Sequence, residues 1–358
     1  MTYTFAVDPQ NLFEERTRQF ANLGLNAADI AAVRSRVTDM WSDQPGGWVY
    51  EWSRLAERYS ERGDHLAASL AYGCAKFPSL ATDSRRTAIA DQVREYEAAS
   101  PDFPVVFERH VLRLDSSGIA IDVPVHVLTP PDATDQTPVL IASGGIDTWK
   151  LDLHQMLIAL SQASNARIVA FDHPGVGELT DTPLTPTSYK IVDQIVGYAR
   201  TLTRGRVGHF GLSFGGYFSA SSGLRGVVDA AIVLGGPVTL RSFGEQNLAG
   251  LLFGMEGILG NALGFDHAPS TAELTRAASG LALDDLLIEQ NQSRMLVVNG
   301  DADVHVPPSD AHIFEGRDRT TVSLIRGAGH CAIDKMDELM PILTTWTRHA
   351  LAGAPFTP

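Results

Sequence analysis

The sequence predicts an α/β protein with a mostly parallel central sheet, a helical block ahead of it and a helical insertion late in the chain. Three observations carry this expectation. From about residue 139 short apolar runs alternate with helix-spaced segments, the pattern of βαβ units. The first hundred residues show helical periodicity and no strand pattern. Ser213 stands at a glycine-flanked junction between an apolar run and a helical segment.

In chain order, Asn26 can cap a helix through AADIAAVRSRV. Trp48, Trp52 and Leu55 follow at i, i+4 and i+7, one helix face, and the two tryptophans are expected to fill the space between the helical block and the sheet. HLAASLAYGCAKFP ends at Pro78, a natural stop, and RRTAIADQVREYEAA is rich in helix formers. No catalytic spacing occurs in this block. Near Pro101 the texture changes. PVVFERHVLRL and GIAIDVPVHVLTP alternate around a turn at Asp115–Gly118 and read as a β-hairpin. PVLIASGG, ARIVAFD, RVGHFGLS, DAAIVLGG, SRMLVVNGD and TVSLIRGAGH then supply strands. LDLHQMLIALSQA, YKIVDQIVGYARTL, GGYFSASSGL and MDELMPILTTWTRHAL supply helices. Between Pro237 and about Ser293 no strand pattern is found, and AGLLFGMEGILGNALGF is apolar and glycine-rich. It is read as a helical cap over the C-terminal edge of the sheet. The expected organisation is a helical segment 1–100, a core 101–237, a cap insertion 238–293 and the rest of the core 294–358.

The length, 358 residues, is enough for a full core without disulfides or metals. The charge balance, 28 − 42 = −14, argues against nucleic acid or an anionic membrane as partner. Two cysteines, Cys74 and Cys331, cannot build a disulfide framework and fit a reducing compartment. MTYTFAVDPQ lacks the pattern of a signal peptide and no apolar run reaches membrane-spanning length, so a cytoplasmic protein is expected. Gly175-Val176-Gly177 lacks the remainder of a dinucleotide fingerprint, and no metal-ligand spacing occurs. No cofactor and no metal are expected; the partner is a small-molecule substrate.

Gly211-Leu212-Ser213-Phe214-Gly215 matches G-x-S-x-G between a strand and a helix. The chemistry needs this context: the serine must occupy a sharp, strained turn, and the helix that follows points its positive end at developing negative charge. A serine hydroxyl needs a base, and the base an orienting acid. On such a scaffold the order is serine, acid, histidine. The strand SRMLVVNG runs into Asp301 and Asp303, and TVSLIRG runs into His330. The pattern from Gly300 to Pro307 favours Asp303 as the acid, with Asp301 a turn residue bonding its own backbone and His305 a loop residue. The oxyanion donors are expected at the N–H of Phe214 and in the loop after PVLIASGG, at Gly145 or Ile146. His173 is read as scaffold and Cys331 as a buried filler. Asp147, and Glu245 and Glu256 of the cap, are candidates for handling a polar substrate group.

GLSFGG, NGDADVHVP and GAGH together are identified as those of an α/β-hydrolase. With GGWVYEW, LAASLAYGCAKFP and GGIDTWK, the chain resembles the fermentation–respiration switch protein group, itself similar to 2,6-dihydroxypseudooxynicotine hydrolase and the fungal polyketide-shortening hydrolases. The resemblance covers essentially the whole chain. It implies that Ser213, Asp303 and His330 are the catalytic residues, that the site lies between core and lid, and that the protein forms homodimers. Relatives either hydrolyse carboxylic esters or cleave a carbon–carbon bond beside a ketone. Some lack the serine and have been regarded as regulators; Ser213 argues against that role here. A non-enzymatic binding protein and an acyltransferase are the competing readings.

Overall fold

The chain opens with helices α1 (Pro9–Asn22), α2 (Ala27–Arg34), α3 (Trp48–Glu61), α4 (His65–Ala75) and α5 (Asp83–Ala99). This computed structural model describes residues 2–290 and 293–352; the remaining positions of the expected segments, 1, 291–292 and 353–358, lie outside the described residues. Local signals set the helix starts. Asp8 accepts from the N–H groups of Gln10 and Asn11 ahead of α1, and Asn26 from that of Ala28 ahead of α2. Trp48, Trp52 and Leu55 are buried along one face of α3. The two tryptophans do not reach the sheet, which corrects the expectation. α1, which the sequence pattern does not single out, brings Phe13 and Phe20 against both tryptophans, with ring centroids 4.6 to 6.1 Å apart. The aromatic cluster is thus the core of the helical block itself.

The strands are β1 (Val106–Ser116), β2 (Ile119–Thr129), β3 (Val139–Ser143), β4 (Arg167–Phe171), β5 (Val207–Leu212), β6 (Ala230–Leu234), β7 (Arg294–Gly300) and β8 (Thr320–Ile325). Among the described residues they form one sheet in the order β1-β2-β4-β3-β5-β6-β7-β8. The β1–β2 hairpin is antiparallel and joins β4 antiparallel, while every pairing from β4 to β8 is parallel. β3, β5 and β6 are buried at every position, as continuous apolar runs must be when helices cover both faces. Helices α6 (His154–Ser164) and α14 (Met336–Ala352) pack on one face. Helices α7 (Tyr189–Thr201) and α8 (Phe214–Leu224) pack on the other.

Between β6 and β7 run the short cap helices α9 (Glu245–Leu248), α10 (Met255–Ala262), α11 (Thr271–Ala278) and α12 (Asp284–Leu287). Asp310, in α13 (Ser309–His312), fastens the start of this insertion by accepting from the N–H of Val238 at 2.6 Å and of Thr239 at 2.9 Å. The N-terminal segment laces cap and helical block together. Tyr3 N–H donates to Asn261 Oδ1 at 3.0 Å, and Trp41 Nε1 donates to the Phe5 carbonyl at 2.6 Å. No helix among the described residues is long and apolar enough to cross a membrane.

Candidate active site

Ser213 stands between β5, the central strand, and α8, with φ 53° and ψ −122°. A non-glycine residue in this conformation costs about 1–3 kcal/mol and persists only where its surroundings over-determine it. Here the surroundings are glycines. A Cβ on Gly211 would collide with the Gly215 carbonyl, and one on Gly215 would lie 2.5 Å from the carbonyl oxygens of Ser143 and Gly144. The serine N–H is anchored to the Leu234 carbonyl at 2.7 Å. The strained turn lifts Oγ away from the backbone to the C-terminal edge of the sheet, as the G-x-S-x-G pattern requires.

Oγ of Ser213 lies 2.8 Å from Nε2 of His330, and His330 Nδ1 lies 2.7 Å from Oδ2 of Asp303. The three residues arrive from the ends of β5, β8 and β7, and the parallel sheet places those ends side by side. After His330 the chain turns through left-handed conformations at Cys331 (φ 57°) and Ala332 (φ 51°). That turn sends the Cys331 N–H back to Asn299 Oδ1 at 2.9 Å, while Asn299 Nδ2 donates to Asp303 Oδ2 at 2.8 Å. Asn299 therefore clamps the aspartate and histidine loops together. Asp303 also accepts the N–H groups of His305 (2.8 Å) and Val306 (3.2 Å) on Oδ1. Burial works against ionised Asp303, but His330, Asn299 and the His305 N–H hold its carboxyl down at about 2. Burial also works against charge on His330; Cys331 and Asp303 beside it outweigh this and lift the imidazole well above the ordinary histidine value. Asp301 does not bond its own backbone, a correction to the sequence reading: its Oδ1 accepts from the Gly327 N–H at 2.6 Å and ties the two loops from outside.

The loop after β3 runs beside the serine. A Cβ on Gly145 would sit 2.9 Å from Ser213 Cβ and 3.1 Å from Oγ, so only glycine lets this backbone approach. Ile146 is buried and shares a cavity wall with Ser213 and Phe214, and Phe214 opens α8, where N–H groups lack intrahelical partners. Buried charges hold the loop. Lys150 Nζ meets Asp172 Oδ2 at 2.5 Å and Glu178 Oε2 at 2.7 Å. Asp152 accepts from the Trp149 N–H at 2.8 Å and from Lys76 Nζ at 2.7 Å. Arg16 of α1 reaches Asp147 at 2.8 Å, and Gln19 donates to Thr148 Oγ1 at 2.7 Å. Lys76, Arg16 and Gln19 all belong to the helical block, which thus positions the loop instead of merely covering it.

Two cavities flank Ser213 and share Ser213, Met255, His305 and His330. One, about 70 Å³, carries Arg16, Gln19, Asp147 and Thr148 beside Leu153 and Met156. The other, about 60 Å³, is lined mainly by apolar groups, among them Ile146, Phe243, Leu248, Leu251 and Leu259. Asp147 lines the first of these cavities, paired with Arg16. Glu245 and Glu256 are exposed and line neither cavity, which corrects that expectation. Leu248 and Leu259 take the inward faces of their helices, because a buried carboxylate without a partner is costly. His173 is fully buried against Phe214 and Phe218, and the Cys331 thiol is buried against the Leu234 carbonyl. His305 is a loop residue, between β7 and α13, and is also buried in the walls of both cavities. Arg16, Asn299 and His305 are thus site residues that sequence reasoning missed. The one signal for His305 was its place two residues after Asp303.

Residues 29–314 match the Esterase FrsA-like family. Esterase FrsA of Vibrio vulnificus is 24% identical over 235 residues, which take in 59% of this chain and 55% of that protein. The alpha/beta hydrolase pydG of Acremonium sp is 22% identical over 251 residues, 61% of this chain and 58% of its own. The chain thus spans little more than half the length of the curated relatives it matches. In fold it is similar to the crystal structure of 2,6-dihydroxy-pseudo-oxynicotine hydrolase, with a TM-score of 0.79 at 22% identity over 95% of this chain and 97% of that one. With its sheet, its helical block and its family match over most of its length, the chain has the α/β-hydrolase fold and belongs to the Esterase FrsA-like family.

Proposed function

We propose that the chain hydrolyses carboxylic esters of small apolar or aromatic acids through an acyl-enzyme on Ser213. The observation that carries this reading is the continuous relay from Ser213 Oγ to His330 (2.8 Å) to Asp303 (2.7 Å), opening on two cavities. His330 Nε2 takes the serine proton as Oγ attacks the ester carbonyl carbon. Asp303 accepts from Nδ1–H, fixes the tautomer and stabilises the imidazolium. The N–H of Phe214, with that of Gly145 or Ile146, holds the oxyanion. His330 gives the serine proton to the leaving oxygen as the C–O bond breaks and the alcohol departs; a water that gives a proton to His330 then attacks the acyl carbon, and the proton returns to Ser213 Oγ as the acid leaves. The apolar cavity suits the acyl group and the cavity bearing Arg16 and Asp147 suits the leaving group.

The test compares wild type with Ser213→Ala on p-nitrophenyl esters of increasing acyl length and, in parallel, on aryl ketones and β-diketones. Expected is ester turnover that drops by at least about 10³-fold in the variant. Cleavage of diketones with slow ester turnover would replace this reading with carbon–carbon hydrolysis. Unchanged ester turnover in Ser213→Ala would sink it altogether.

A further inference from the structure

Asn299 stands next to last in β7 and is 4% exposed. Its Oδ1 accepts from the N–H groups of Gly300 and Cys331, both at 2.9 Å, and its Nδ2 donates to Asp303 Oδ2 at 2.8 Å. Two N–H donors at one end and a carboxylate at the other fix which end of the amide carries the oxygen. Asp303 Oδ2 is also the atom that faces His330 Nδ1 at 2.7 Å, so amide and imidazole share it. The other carboxylate oxygen, Oδ1, is held separately by the N–H groups of His305 at 2.8 Å and Val306 at 3.2 Å. Asp303 is therefore anchored without Asn299, and the amide acts on the one oxygen that serves His330. The other titratable groups around His330 are Cys331 on its own loop, His305 with its ring centroid 5.4 Å away, and Arg16, Asp147 and Asp152 on the walls of the first cavity. Asp147 is paired with Arg16 and Asp152 with Lys76, while Glu15 lies 3.6 Å from His305 Nε2. Among the described residues, Asn299 alone shares Asp303 Oδ2 with His330.

Building on the ester-hydrolase reading of Ser213, His330 and Asp303, we propose that Asn299 is a positioning residue that tempers the basicity of His330. A hydrogen bond donated to an ionised carboxylate stabilises its charge and makes it a weaker partner for other donors. The Asn299 N–H therefore competes with His330 Nδ1–H for the same oxygen. Without it, Asp303 would hold the imidazolium more tightly, and His330 would stay protonated to higher pH. That matters because burial beside Asp303 and Cys331 already leaves the imidazole well above the ordinary histidine value, and only its neutral form can take the serine proton. Asn299 moves no proton itself: the serine proton still passes through His330 to the leaving oxygen. The far end of the same amide fixes the ring's own loop. The Cys331 N–H reaches Asn299 Oδ1 through a left-handed turn (φ 57°), so one side chain sets both the place of the imidazole and the strength of its acid partner.

The experiment records the pH profile of kcat/KM for p-nitrophenyl acetate in wild type and Asn299→Ala. In parallel, NMR follows the titration of the His330 ring in Ser213→Ala and in Ser213→Ala combined with Asn299→Ala. Expected is a lower rate in Asn299→Ala, with the midpoint of both the profile and the ring titration moved up by about 0.5 in pH. A lower rate with both midpoints unmoved would reduce Asn299 to a structural clamp and overturn the proposal. A downward move would overturn it too, since Asn299 would then be needed to keep Asp303 within reach of His330. Should Asn299→Ala fail to fold, Asn299→Leu, which also lacks the N–H donor but fills the volume, decides by the same midpoints. Ester turnover indifferent to Ser213→Ala would instead remove the ester-hydrolase reading, and the ring titration, which needs no turnover, would still decide whether Asn299 tempers His330.

Discussion

Arg16 Nη2 donates to Asp147 Oδ2 at 2.8 Å, joining the first helix of the chain to the loop beside Ser213 across 131 residues of sequence. Both side chains are almost wholly buried, and Arg16 also pairs with Glu15 and bonds Gln19. Two charges taken from water are tolerated only because each satisfies the other. The helical block and the candidate active site are therefore one electrostatic unit.

Removing one partner should expose this. Arg16→Met leaves Asp147 buried without its cation, at a cost of about 3 kcal/mol or more in urea unfolding. Arg16→Met combined with Asp147→Leu should recover part of that loss, and kcat/KM should fall in the single variant. Strict additivity of the two substitutions would show that the pair is not coupled.

Gly145→Ala offers a second test. The added Cβ would lie 2.9 Å from Ser213 Cβ, so either the loop or the serine must shift. A loop displaced from the oxyanion should lower kcat by about 10² or more. The melting temperature should move by only a few degrees, because the ion pairs of Lys150 and Asp152 still hold the loop. Full activity in this variant would exclude the loop as an oxyanion donor.

The pH profile follows from the two shifted groups. Asp303, held at about 2, stays ionised throughout the neutral range. His330 stands well above 6.5, so its neutral, base-competent form grows as pH rises. The ratio kcat/KM should therefore increase with pH and level off only above the His330 midpoint. The linked stability has the opposite sense: the charged His330 contributes fully below pH 6.5 and is lost as pH rises through the folded-state value. Asp303→Asn should cut kcat by about 10⁴ and move the midpoint of the profile down. A midpoint that does not move would assign it to another group.

Motifs whose members are close in sequence were legible without coordinates. G-x-S-x-G names Ser213 because the strained turn needs glycines at fixed offsets. The order of strand ends names Asp303 and His330 because a parallel sheet gathers those ends along one edge. The hairpin and the buried strands were readable from alternation and from unbroken apolar runs. Side-chain direction on a helix was harder. Glu245 and Glu256 have the chemistry of a substrate clamp but face solvent, since short cap helices turn their leucines inward.

The sequence by itself determined the sheet, the turn at Ser213 and the order of the candidate catalytic groups, all of which follow from local backbone geometry and periodicity. Tertiary structure alone decided that α1 brings Arg16 and Glu15 to the site and that Asn299 clamps two loops. It also decided that His305 stands with its ring unbonded between the two cavities. These are encounters between residues tens to hundreds of positions apart. They are set by how the helical block and cap dock on the core, and neither periodicity nor spacing encodes that docking.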